Sequence, residues 1–134
     1  MSRQKQKGTR LETAVVDYMA WALGDHGIHR ETLHGSMDVG DIGGVYIQGE
    51  PVTIEVKNTA RLDLAQHYRE AETEAGNKDS ILPILIQKRK GVGIGPAGIG
   101  QQWAVMTLET LCRLLNHGLP IGDEAGDTEE DEAR

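Results

Sequence analysis

Glu12, Asp41, Glu55 and Lys57 are the side chains of this 134-residue sequence best suited to hold a cation or move a proton. Over residues 52–58 the even positions Val52, Ile54 and Val56 are apolar, and the odd positions Thr53, Glu55 and Lys57 are polar. Successive side chains of a strand point to opposite faces, so this pattern buries one face and sets Glu55 and Lys57 together on the other. If the preceding segment, 41–48, returns against it as a hairpin, Asp41 meets the Asn58 end and faces Glu55 across the pair. Two hard carboxylates converging on one point are what Mg²⁺ or Mn²⁺ requires, with waters and a substrate phosphate completing the shell. A lysine beside them orients or deprotonates a metal-bound water, or stabilises negative charge in a transition state. Glu55 and Lys57 taken alone also fit a solvated strand face. Asp41 and Glu12 are what argue against that reading.

These residues need elements to position them. Residues 1–8 are polar and basic and are expected to form a flexible arm. A helix is expected over 9–24, with Thr9 as its N-cap, Glu12 at the capping-box spacing, and Leu11, Val15, Tyr18, Met19 and Ala22 at helical spacing. Strands are expected over 29–34, 41–48 and 52–58, then a helix over 61–76 that stops at Gly76. The apolar run ending in Gln87-Lys88-Arg89-Lys90 predicts a buried strand beginning near Pro83, and 102–106 a further one. Leu108, Leu111, Cys112, Leu114 and Leu115 predict an apolar helix ending at His117-Gly118. The acidic segment 122–134 is expected to be disordered. This order makes an α/β domain over 9–121, a mixed sheet of about five strands flanked by helices. Gly93-Ile94-Gly95-Pro96-Ala97-Gly98 spells GxGxxG, but a strand-like segment follows where a dinucleotide site needs a helix. It reads as a flexible hairpin loop or, with Lys88-Arg89-Lys90 at its base, as a loop that contacts DNA. That basic triplet equally fits a solubilising strand end. Asp38 suits a turn at least as well as a metal, and Ser36 suits a turn better than a contact to phosphate. Trp21 and Trp103 read as core or interface anchors rather than base-stacking platforms. The five histidines show no paired metal spacing.

Asp41, followed after a 13-residue gap by Glu55-Val56-Lys57, resembles the signature of the PD-(D/E)XK nuclease superfamily, with Gly40 where the motif's name has proline. Three longer segments are more specific: Lys7-Gly8-Thr9-Arg10-Leu11-Glu12, then Gly35-Ser36-Met37-Asp38-Val39-Gly40-Asp41-Ile42, then Ile54-Glu55-Val56-Lys57-Asn58. Together with residues 85–91 and 103–106 they resemble phage-type Holliday junction resolvases, over roughly residues 7–115. The resemblance implies a restriction-endonuclease-like fold and hydrolysis of phosphodiester bonds in branched DNA by a homodimer that nicks opposed strands. It also implies Mg²⁺, with Mn²⁺ able to substitute, held by Asp41, Glu55 and the backbone carbonyl of Val56. Glu12 would sit near the metal, directly or through water, and Lys57 would position the attacking water. Lys5, Lys7, Arg10, Arg61, Lys88, Arg89 and Lys90 are the candidates for contacts to the DNA backbone. The alternatives are a nuclease of the same superfamily acting on flaps or unbranched duplex, and a non-catalytic DNA-binding module on the same fold.

Composition bounds the remaining possibilities. The formal charge is −7, from 14 Lys+Arg and 21 Asp+Glu, which disfavours a protein that simply coats nucleic acid. The charge is uneven, however: residues 1–10 carry +4 and residues 123–134 carry −6. No apolar run approaches the roughly 20 residues of a membrane helix, and the basic start lacks the apolar stretch of a secretory signal. Cys112 is the only cysteine, which excludes an internal disulfide and a cysteine-based zinc site. An intracellular protein is expected, cytoplasmic, or in the host cytoplasm if phage-encoded, with no membrane partner.

Overall fold

The computed structural model describes residues 2–32, 37–124 and 126. Its first helix, α1 (Arg3–Leu23), starts well before the expected Thr9. Arg, Gln and Lys are good helix formers, and the Ser2 side chain caps the helix by accepting from the Lys5 N–H at 3.1 Å. The basic segment expected to be an arm is therefore the opening of α1. Its end follows expectation: Gly24 takes a left-handed conformation and donates to the Ala20 and Trp21 carbonyls.

Four short strands follow: β1 (His29–Arg30), β2 (Ile42–Gly43), β3 (Tyr46–Ile47) and β4 (Glu50–Lys57). β1 is shorter than the expected 29–34, and residues 33–36, Ser36 among them, lie outside the described residues. The expected single strand over 41–48 is split in two. β3 and β4 form a hairpin through Gln48 and Gly49, both with positive φ (50° and 81°), as a two-residue turn of the right twist requires. That hairpin pairs Ile47 with Glu50 and Tyr46 with Pro51, yet β2 pairs Ile42 with Ile54. One extra residue has entered the β2–β3 side, a β-bulge at Gly43-Gly44. Gly44 has φ 78°, and a Cβ there would be driven into the carbonyl of Gly27.

The chain then forms α2 (Leu64–Asn77), capped by Asp63, and β5 (Leu82–Gln87), which runs parallel to β4. β6 (Trp103–Val105) returns antiparallel to β5 and leads into α3 (Leu108–Leu115), capped by Thr107. The result is a mixed six-stranded sheet of order β1-β2-β4-β5-β6, with β3 also on β4, one strand more than expected. Val52, Ile54 and Val56 lie on one face of β4 and cluster with Leu11 and Val15 of α1, Ile42 and Leu82. α2 packs on β4 and β5 from the other face, its Tyr68 hydroxyl donating to the Pro83 carbonyl at 2.7 Å. The glycine loop between β5 and β6 is held in place rather than free. The Gln102 amide donates to the Gly93 and Gly98 carbonyls, and Ile94 and Ile99 pack on the core.

The expectation that the tryptophans could anchor the core is corrected. Trp21 is 76% exposed and Trp103 45% exposed, so neither anchors the core. α3 buries Thr110 while Leu108, Leu111 and Leu115 face outward. The segment expected to be a disordered acidic tail begins ordered: both Glu124 oxygens accept from Arg113 at 2.9 Å. Residues 125 and 127–134 lie outside the described residues. Among the described residues no helix is long and apolar enough to cross a membrane.

Candidate metal centre and the cleft beside it

The bulge decides which way Asp41 faces. Directly opposed residues of an antiparallel pair share a face, so Ile42 lies with Ile54 in the core and Asp41, one residue earlier, points to the face of Glu55. Had the hairpin register continued unbroken, Ile42 would lie opposite Glu55 and Asp41 would turn into the core. Where the β2 ladder stops, Asp41 replaces the missing backbone acceptor: its Oδ2 accepts from the Val56 N–H at 2.7 Å. Val56 thus enters the site through its N–H. Gly40 holds φ 98°, a conformation closed to proline, which accounts for glycine at the position where the motif's name has proline.

Above this face α2 contributes two carboxylates that the sequence reading passed over. Glu70 and Glu74 are four residues apart and so project together. Glu70 Oε2 lies 2.6 Å from Lys57 Nζ. Glu74 and Glu55 are each only 5% exposed. Asp38 joins from the loop before β2, its main-chain carbonyl accepting from Asn77 Nδ2 (2.8 Å) and its side chain from the Gly40 N–H (3.0 Å). One carboxylate oxygen from each of Asp38, Glu55 and Glu74 lies within 4.8 Å of the others. The available signal was Glu74 beside Ala71 and Ala75 on the helix's apolar stripe, a charge where a core residue belongs.

Crowding these groups out of water makes their charge expensive. Burial and then contact with Glu55 push Asp41 up to about 8. Burial likewise pushes Glu55 up to about 8, with Glu74 adding to it while Asp41 and Lys57 partly relieve it. Glu74 rises to about 7 through burial and the field of Asp38 and Asp41. Burial works against a charged Lys57, yet Glu70, Glu55 and Asp41 outweigh it and hold the amine above its ordinary range. Lys57 is therefore an ammonium at neutral pH, able to orient a water or face an anion but not to accept a proton.

Glu12 is brought into the field of Asp41 but not into the cluster. Burial and Asp41 raise its carboxyl, and its contact is with Arg30, Nε to Oε1 at 3.3 Å. The donor set that remains is all hard oxygen, and mutually repelling carboxylates lacking a matching number of side-chain cations suit a divalent ion of the Mg²⁺ or Mn²⁺ type.

Next to the acidic face a cleft of about 860 Å³ opens at the carboxyl ends of the parallel strands β4 and β5. Its walls include Lys7, Arg61, Lys88, Arg89, Lys90 and Trp103. Asn58, which follows Lys57, also lines it and donates to the Lys7 carbonyl at 3.4 Å. The Arg89 guanidinium stacks over Trp103, 4.3 Å from the ring centroid. Lys88 is already engaged, its Nζ donating to the carbonyls of Arg89 and Val92. Lys5 and Arg10 are exposed on α1, outside the cleft's lining. Compared with known protein families, curated proteins and solved structures, the chain matches none.

Proposed function

We propose that this protein is a Mg²⁺-dependent, structure-selective DNA endonuclease that resolves Holliday junctions, as its resemblance to the phage-type resolvases of the PD-(D/E)XK superfamily implies. The observation that carries the reading is the bulge-directed meeting of Asp41 with Glu55, with Lys57 on the same face. Asp41 and Glu55 would hold the ion, with the Val56 carbonyl as a further ligand, Glu12 near it, and Mn²⁺ able to substitute. When bound, such an ion polarises a phosphate and lowers the pKa of water.

This chain's own residues do the rest. The Val56 N–H fixes the Asp41 carboxylate. Lys57, kept charged and held by Glu70, orients the attacking water and faces the negative charge that develops on the phosphate. In-line attack on phosphorus leaves a 5′-phosphate and a 3′-hydroxyl. Arg61, Lys90 and Lys7 line the cleft beside this face and would grip DNA backbone without reading sequence, with Lys5 and Arg10 extending the basic surface along α1. Arg89 would act from its stack on Trp103, and Lys88 by shaping the loop that carries Arg89 and Lys90. The outward leucines of α3 support self-association, which a paired cut requires.

The test is a substrate panel: a four-way junction, a flap and a linear duplex, each offered to the protein with Mg²⁺. Paired, symmetric nicks confined to the junction are expected. Equal cutting of the linear duplex would leave a nuclease but remove the junction specificity, and binding with no cleavage of any substrate would leave only a binding module.

A further inference from the structure

We infer that Trp103 and Arg89 form a base-stacking subsite on the cleft wall, which takes an unpaired base of the DNA strand that runs past Lys57. The inference rests on the nuclease reading for the phosphate at Lys57, but the stacking itself needs no cleavage.

The sheet register places this subsite. Lys57 of β4 pairs with Gln87 of β5, and Gln87 with Trp103 of β6, so the three side chains form one row on one face of the sheet. Neighbouring strands stand about 4.8 Å apart, which puts the Trp103 backbone about 10 Å from that of Lys57. At about 3.4 Å per nucleotide of a stacked strand, a base on Trp103 belongs to a nucleotide within about three of the phosphate that Lys57 faces. Gln87, wholly buried between them, donates to Thr59 Oγ1 at 3.3 Å and so ties the row to the cleft wall.

The chemistry of the wall names the ligand. Gripping phosphates needs only cations, yet the half-exposed Trp103 and the exposed Leu62 also show apolar surface in the cleft. A cationic groove with an aromatic plate is how proteins hold single strands, because every base has a π-face. In an intact duplex those faces are stacked inside the helix, so a paired strand offers the plate only backbone. Extruding a base costs least where stacking is already broken, as at a branch point. The plate is set before DNA arrives: Trp103 lies on a strand, the Arg89 N–H donates to Gln102 Oε1 at 2.8 Å, and its guanidinium lies 4.3 Å from the ring centroid. Among the described residues no carboxylate forms an ion pair with Arg89, which leaves its planar guanidinium for a base.

The experiment uses the full-length protein in EDTA, with Trp21→Phe so that Trp103 is the sole tryptophan. Trp21 is exposed on α1, outside the cleft's lining. Single-stranded oligo(dT) is expected to quench Trp103 fluorescence, and a blunt duplex of the same length is not. By anisotropy of labelled DNA, Trp103→Ala should weaken oligo(dT) binding by about 5–150-fold and leave duplex affinity and the salt slope unchanged, while Trp103→Phe restores most of the loss. Arg89→Lys keeps the charge and loses the plane, so it should weaken oligo(dT) binding at an unchanged salt slope. It keeps the test decisive if Trp103→Ala folds poorly. Unquenched Trp103, or equal losses for oligo(dT) and duplex in both variants, overturns the subsite. Quenching in a protein that cuts no DNA in Mg²⁺ keeps the stacking and removes the nuclease reading, and junction cleavage without quenching does the reverse.

Discussion

Lys57 and the carboxylates around it divide the labour in a way that can be tested one residue at a time. Because Glu70 keeps Lys57 charged, its contribution on the proposed reading is orientation and charge, and Lys57→Ala should lower the cleavage rate by about 10²–10³-fold. Single-turnover kinetics, with melting curves as a control for folding, measure that loss. The carboxylates make a separate prediction about stability. In the metal-free protein Asp41 and Glu55 titrate near 8 and Glu74 near 7, against 3.8 to 4.5 ordinarily. The folded state therefore holds more protons than the unfolded one across that interval, so stability falls as pH rises through it and the loss is complete above about pH 8. In EDTA the Tm should drop by several degrees from pH 5 to pH 8.5, and Mg²⁺ should restore most of it at the alkaline end, since it binds the ionised form. A pH-independent Tm in EDTA would remove the buried acidic cluster from the account. Glu55 and Lys57 were legible at this scale because a strand's alternation is written into consecutive residues. Glu74 showed only as a charge on the apolar stripe of α2, and Glu70 not at all, because nothing in a helix's own sequence says which strand face lies beneath it.

At the scale of elements, the site depends on a pair of glycines more than on any strand. Gly43 and Gly44 insert the extra residue that turns Asp41 out of the core. Gly44→Ala must relieve both a positive φ and a collision with the Gly27 carbonyl, and should cost about 2–3 kcal/mol in denaturant unfolding. The same variant should lose Mg²⁺ affinity if the proposed reading holds, because the bulge aims Asp41, the proposed ligand. Gly49→Ala, also at positive φ (81°) but with open space around it, should cost about 1 kcal/mol and leave metal binding alone. The alternation of β4, the hairpin and the stop of α2 could be read locally. The bulge could not, since a plain hairpin through Gln48-Gly49 predicts the wrong face for Asp41. The start of α1 departs from expectation for a related reason: a basic, polar segment looks like an arm unless the Ser2 cap is weighed.

For the molecule as a whole, the opposed charges fall on adjoining surfaces. The acidic face lies under α2 and the basic cleft at the carboxyl ends of β4 and β5, so on the proposed reading a phosphate chain lying in the cleft would be led toward Lys57. Arg61→Ala and Lys90→Ala should weaken DNA binding alike for all sequences, and each should reduce the slope of log K against log salt by about 1. A titration of fluorescent junction DNA at several salt concentrations reads both. The net charge of −7 does not oppose such binding, because −6 of it lies in residues 123–134 and residues 1–122 carry only −1. The central claim is tested most directly by one measurement, the cleavage of an end-labelled four-way junction by wild-type protein and by Asp41→Asn, in Mg²⁺ and in EDTA. Paired nicks at symmetric positions are predicted for wild type in Mg²⁺ and for no other combination. Nicking that persists in EDTA or in Asp41→Asn, or an uncut junction with wild type and Mg²⁺, would contradict it.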